Sequence, residues 1–123
     1  MKRRRGDEGQ ATVELALVLP LVCLLLLALV QVGLVVHAHL LVVHAAREGA
    51  RAAAVDPHPS AAHVAVIAGV PLDRDRVEVI TRETAGDRVE VQVRYRYSTD
   101  VPLVGALLGD IDLAASATMR REH

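Results

Sequence analysis

The chain contains a run of thirty-two residues, Leu15 to Ala46, with no Asp, Glu, Lys or Arg, and the run begins directly after Glu14. Its first part, Leu15 to Val36, holds ten Leu and six Val. At 1.5 Å per residue these positions span about 33 Å as a helix, enough to cross the hydrocarbon core of a bilayer. The Leu and Val residues together supply on the order of 5 to 8 kcal/mol toward insertion, of which Pro20 and Gln31 remove only a part. The sequence therefore predicts a membrane-inserted helix, with the lipid bilayer as the first partner.

Everything else must fit in what remains of 123 residues. Beyond position 55 only 68 residues are left, with no Phe or Trp, so a core there must be built from Val, Leu, Ile and Ala. A domain of that size is marginal alone, and it is expected to lean on the preceding helix. Lys2, Arg3, Arg4 and Arg5 precede the apolar run, whereas positions 56–123 carry eight Arg against eleven Asp and Glu. The basic end is expected to stay in the cytoplasm. The acidic remainder lacks the clustered positive charge that nucleic acid requires.

Good helix formers continue past the membrane until Pro57 and Pro59, so one helix is expected from Gln10 to about Val55. At about 69 Å it is twice as long as the bilayer needs, which makes positions 37–55 a stalk outside the membrane. Ala45, Gly49 and Ala53, and likewise Ala46, Ala50 and Ala54, recur every fourth residue. Such stripes of small side chains let another helix or a sheet approach closely, and the alternative is a plain excess of Ala. Pro20 is expected to kink the helix locally, and in lipid it points toward helical neighbours that satisfy the freed carbonyl.

After the prolines, Ser60 is expected to cap a short helix over Ala61–Ala68, closed by Gly69 and Pro71. Alternating runs over Arg76–Arg82 and Arg88–Tyr97 predict two strands, joined into a hairpin by Thr84-Ala85-Gly86-Asp87. A third strand is expected over Ile111–Met119, after an apolar segment, Pro102–Gly109, that reads as a short helix or a loop at the membrane surface. The fold class is thus α+β: a long amino-terminal membrane helix with an outer stalk, then a small antiparallel sheet of about three strands with a short helix. The expected division is 1–9, 10–36, 37–55 and 56–123.

Cys23, the only cysteine, lies inside the apolar run, so no intrachain disulfide can form. His37, His39 and His44 do not share one helical face, which argues against a metal site. No nucleophile elbow, phosphate loop or metal-binding motif is present, and neither catalysis, a cofactor nor a small-molecule substrate is expected. Glu14 is the most informative polar residue, because a carboxylate bordering so long an uncharged run costs insertion energy and needs a partner. If the chain were cut after Gly9, the new amine on Gln10 would lie one helical turn from Glu14, on the same face.

These residues resemble a known family. Basic residues, Gly9, four further positions, Glu14 and a long apolar helix look like the signal of type IV prepilins, which a membrane aspartyl prepilin peptidase cleaves after the glycine. Gly9-Gln-Ala-Thr-Val-Glu14-Leu-Ala-Leu-Val-Leu-Pro20, followed by Ala45-Ala-Arg-Glu-Gly-Ala-Arg-Ala-Ala53, is similar to the TadE-like pseudopilins of the tight-adherence system that builds Flp-type pili. The resemblance implies a pilin-like fold, cleavage between Gly9 and Gln10, Glu14 as the assembly carboxylate, and Arg47, Glu48, Gly49 and Arg51 as the post-membrane family motif. It also implies other pilin or pseudopilin subunits and Tad inner-membrane platform proteins as partners. Gln31 and Val32 stand where the family often carries an acidic residue and an aromatic, and Leu15 stands where prepilins commonly have Phe. The rival readings are an unprocessed single-pass anchor for a small surface binding domain, and a domain released by ordinary signal cleavage.

Overall fold

The computed structural model describes residues 4–99 and 103–122; Lys2, Arg3 and Pro102 of the expectations above lie outside the described residues. A single helix, α1, runs over Arg4–Val55 and passes through Pro20 without interruption. It starts one and a half turns earlier than the expected Gln10, because nothing between Arg4 and Gln10 stops a helix and Asp7 in its first turn complements the positive end of the helix dipole. At its far end the chain leaves the helix at Asp56, whose N–H still donates to the Ala52 carbonyl at 2.9 Å.

The rest of the chain folds along the outer half of α1. A short helix, α2 (Ala61–Gly69), is followed by a three-residue 3-10 turn over Arg74–Arg76 and by strands β1 (Val77–Thr84) and β2 (Arg88–Tyr97). A one-turn helix, α3 (Val104–Leu108), then leads into β3 (Ile111–Arg120). The three strands form one antiparallel sheet in the order β1-β2-β3. The α+β architecture read from the sequence is the architecture observed.

Two local details differ from expectation. Ser60 precedes α2 in a helical conformation, and its side chain makes no cap bond. Its hydroxyl instead meets Nδ1 of His58 at 2.7 Å, so an exposed ring two residues away has taken the group that would otherwise cap the helix. The first strand begins at Val77 and extends to Thr84, because the Asp73 carboxylate accepts from the Asp75 N–H and holds the 3-10 turn. The hairpin then closes over Ala85–Asp87, with Gly86 at φ 86° and Asp87 at φ 60°. Left-handed backbone of this kind suits Gly and is tolerated by Asp.

One sheet face is apolar and lies on α1. Val89, Val91 and Val93 of β2 are buried, joined by Leu113 of β3 and by Val66 and Ala62 of α2. From α1 come Ala38, Val42, Ala45, Ala46, Ala50, Ala53 and Ala54, half of the buried apolar residues among those described. Gly49 sits where three elements meet: a β-carbon there would stand 3.0 Å from methyl groups of both Val66 and Val91. The free end of β3 closes the assembly, since the Glu122 N–H donates to the Ala54 carbonyl at 3.0 Å and the Arg121 N–H to the Asp87 carbonyl at 2.7 Å. The first of these satisfies a carbonyl that the end of α1 leaves open.

Gly49→Val is therefore expected to force α2 and β2 away from α1 and to destabilise the domain by about 1–3 kcal/mol. Thermal unfolding of the full chain in detergent, followed by circular dichroism, measures it; an unchanged midpoint would contradict the close approach at Gly49.

Candidate functional site

The part of α1 that the domain leaves bare carries the residues singled out by sequence. Every side chain from Gly6 to Leu26 is exposed, including Gly9, Gln10, Glu14 and Pro20. Gln10 and Glu14 lie one turn apart on one face, and Glu14 makes no ion pair among the described residues. Nothing within 4 Å would meet a β-carbon at Gly6 or Gly9. The Thr12 hydroxyl donates back to the Glu8 carbonyl at 2.8 Å, a bond local to the helix. Around these polar groups the surface is a sleeve of Leu and Val, such as Leu17, Leu21 and Leu25, which no other element touches. Cys23 is free and lies within the same sleeve.

A sleeve this apolar is far larger than a monomer in water keeps exposed. Its length and composition are those of a membrane span. The change of environment along the helix is abrupt. Leu27 and Ala28 are the first side chains to be partly covered, and Gln31 is the first to be buried, at 2% exposure. Neither amide atom of Gln31 has a hydrogen-bond partner among the described residues. Sequence reasoning treated this residue as a polar interruption; only the arrival of the domain on that face makes it a sealed, unsatisfied amide.

Beyond Gln31 the helix has two unlike sides. Ala45, Gly49 and Ala53, with Ala46, Ala50 and Ala54, are buried under α2 and the sheet. His37, Leu40, His44, Arg47 and Arg51 are exposed on the other side, and Glu48 is half-buried. The three histidines do not converge, and no group of three or more His, Cys, Asp or Glu side chains that could hold a metal is found among the described residues.

Two other places invite a chemical reading. Asp56, His58 and Ser60 look like an acid-base-nucleophile series, but the Asp56 carboxylate accepts from the backbone N–H of His58 at 2.9 Å and not from its ring. The imidazole Nδ1 faces the serine, all three residues are exposed, and the arrangement is a turn held by local hydrogen bonds. On the outer face of the sheet, a shallow depression of about 780 Å³ is lined by Asp75, Arg76, Glu78, Arg94, Arg96 and Asp112 among others. Its charges alternate in sign, and Arg96 meets Asp112 at 3.5 Å with both side chains largely exposed. Four acidic side chains against three Arg leave little net charge to select a ligand, and such a surface is a solvated sheet face.

The fold is α+β, and its one long apolar amino-terminal helix fits a single-pass membrane protein. Residues 9–51, about a third of the chain, match the family model described as TadE-like protein, and over that segment the chain is similar to that family. No curated protein and no solved structure matches the chain.

Replacing Gln31 by Leu removes the orphaned amide while keeping most of its volume. It is expected to stabilise the attachment of the domain by about 1–3 kcal/mol, measured as slower amide exchange in β2 and β3 of the detergent-solubilised protein. A loss of protection would mean that the amide has a partner.

Proposed function

We propose that this protein is a TadE-like minor pseudopilin of Flp-type pilus biogenesis or Tad secretion, which works by helix association in the membrane after its leader is removed between Gly9 and Gln10. The observation that carries this reading is the lone carboxylate of Glu14 on an otherwise apolar, wholly uncovered helix surface within the TadE-like segment. The amino terminus, with Arg4 and Arg5, stays in the cytoplasm, and the sheet domain lies on the outer side of the inner membrane.

Physical chemistry supports each step. Cleavage requires the Gly9–Gln10 bond to leave the helix, and two glycines in this stretch each lower helix stability by about 1 kcal/mol relative to Ala. Nothing rests on Gly6 or Gly9, so local unwinding disturbs no tertiary contact. The cut creates an ammonium on Gln10, which pairs with Glu14 of its own or a neighbouring subunit and removes an unpaired charge from the edge of the hydrocarbon. A pair formed between subunits fixes their register. The protein acts by such contacts and by no turnover of its own; its partners are the prepilin peptidase, other pilin-type subunits and the Tad platform.

Amino-terminal sequencing of the protein from its native membrane is expected to begin at Gln10. Gly9→Ala is expected to retain the leader, whereas Glu14→Ala is expected to be processed but to lose co-purification with pilin-type subunits. Processing that is equal in all three proteins, or a native chain that keeps its basic residues, would leave an ordinary tethered domain.

A further inference from the structure

The connection from β2 to β3 carries an apolar knob that the fold does not use. Leu103, Leu107 and Leu108 are 63, 84 and 55% exposed, and none takes part in the core. The knob is nonetheless fixed in place. The Thr99 hydroxyl donates to the Gly109 carbonyl at 2.6 Å, and the Gly109 N–H donates to the Gly105 carbonyl at 3.1 Å. A β-carbon at position 105 would collide with the Thr99 carbonyl oxygen, so only Gly lets α3 lie this close to the end of β2. α3 also touches α1.

Its level along α1 follows from β3. The chain just after β3 is fixed at Ala54 by the Glu122 hydrogen bond. Ten strand residues carry the other end, Ile111, about 33 Å back, and about 22 residues of helix cover the same distance, which reaches Val32. Burial marks the same place independently, with Leu27 and Ala28 partly covered and Gln31 sealed.

The apolar run of α1 has to continue past that level to cross a bilayer. Counted from Leu15, the first residue after Glu14, a hydrocarbon core of about 30 Å takes about 20 residues of helix and reaches about Leu34, beyond the Val32 level of α3. The core therefore includes the start of the stretch of α1 to which the α3 end of the domain is attached. The knob lies at the leaflet boundary and not above it.

We infer that Leu103, Leu107 and Leu108 form an interfacial foot, which enters the outer leaflet of the bilayer that α1 crosses and takes lipid acyl chains just beneath the headgroups as its partner. Exposed apolar side chains at a bilayer interface commonly bury to this depth. Arg96, Asp110 and Asp112, exposed at the same end of the sheet, then lie among the headgroups. With α1 as one point of attachment and the foot as a second, the domain has a fixed depth and a fixed rotation about the helix. This inference rests on the insertion of α1 into the membrane, and its test separates the two.

The chain contains no Trp, so a single introduced Trp is a clean reporter. The full chain carrying Leu107→Trp, Leu21→Trp or Val64→Trp is reconstituted in phosphatidylethanolamine–phosphatidylglycerol vesicles whose lipids bear quenchers at shallow or deep acyl positions. Leu107→Trp is expected to emit to the blue of Val64→Trp, an exposed position on α2, and to lose most of its emission to shallow quenchers. Leu21→Trp is expected to be quenched from the deep positions, and Leu103→Trp, as an independent reporter, to behave like Leu107→Trp. Quenching at 21 without quenching at 103 or 107 overturns the foot and leaves the membrane span standing; no quenching at any position overturns both. A blue shift at 107 that grows with protein density, without quenching by lipid, assigns the knob to a second copy of the chain and overturns the lipid assignment.

Discussion

The contact between the small-residue side of α1 and the valine face of the sheet is the constraint on which the molecule depends. Val89, Val91 and Val93 have no Phe or Trp to close over them, since the chain has neither, and Tyr95 and Tyr97 are only partly buried against the same core. They are covered instead by helix backbone, brought near by Ala45, Ala46, Gly49 and Ala50. Each buried Val contributes about 1.5–3 kcal/mol only while that surface stays in place. A three-stranded sheet with one face exposed has little else to set against its conformational entropy. The sheet domain is thus inseparable from α1, with which it shares its core.

This arrangement gives one helix two surroundings in succession. From Leu15 to Leu26 all of its sides are alike, apolar and uncovered; beyond Gln31 one side is core and the other presents His37, His44, Arg47 and Arg51. The continuity of α1 through Pro20 and past the end of the uncharged run at Ala46 means that no hinge separates the two regions. The carboxyl-terminal residues reinforce the same rigidity. Arg121 reaches Glu83 beside the hairpin at 2.8 Å while the adjacent backbone fastens β3 to the turn at Asp87 and to the end of α1. The anchor, stalk and sheet are accordingly coupled at both ends of the sheet, by helix and strand termini at one and by α3 at the other.

What could be read from the sequence was what local chemistry decides. The alternation of Val89, Val91 and Val93 with charged or amide residues placed β2 correctly, Gly86-Asp87 located the hairpin, and Pro57 with Pro59 ended α1. Local competition spoiled the finer details: His58 diverts the Ser60 hydroxyl, and Asp73 organises a turn that delays β1. The sealing of Gln31 was not readable at all, since periodicity identifies a helix without saying which side of it a sheet will cover. Gly9, Gln10 and Glu14 were recognisable by their spacing and by family resemblance, yet α1 leaves all three uncovered. Under the proposed function they act through contacts with other molecules, which a single chain can suggest but does not contain.

Glu14 and Gln31 are the two polar groups at odds with their apolar surroundings, and the difference between them indicates where association acquires its specificity. The Gln31 amide is enclosed by its own chain, so its cost, about 1–3 kcal/mol, is a fixed loss of stability that no neighbour can relieve. Glu14 is exposed, and helix contact alone would remove it from water as an unpaired charge, at an effective cost of several kcal/mol. Only a partner that brings a positive charge to the same depth avoids that cost. A wrong neighbour, or a right one in the wrong register, incurs it in full. Under the proposed function, the ammonium released at Gln10 meets the requirement, and cleavage of the leader then acts as the permissive step: before it, lateral association strands a carboxylate; after it, the same contact forms an ion pair.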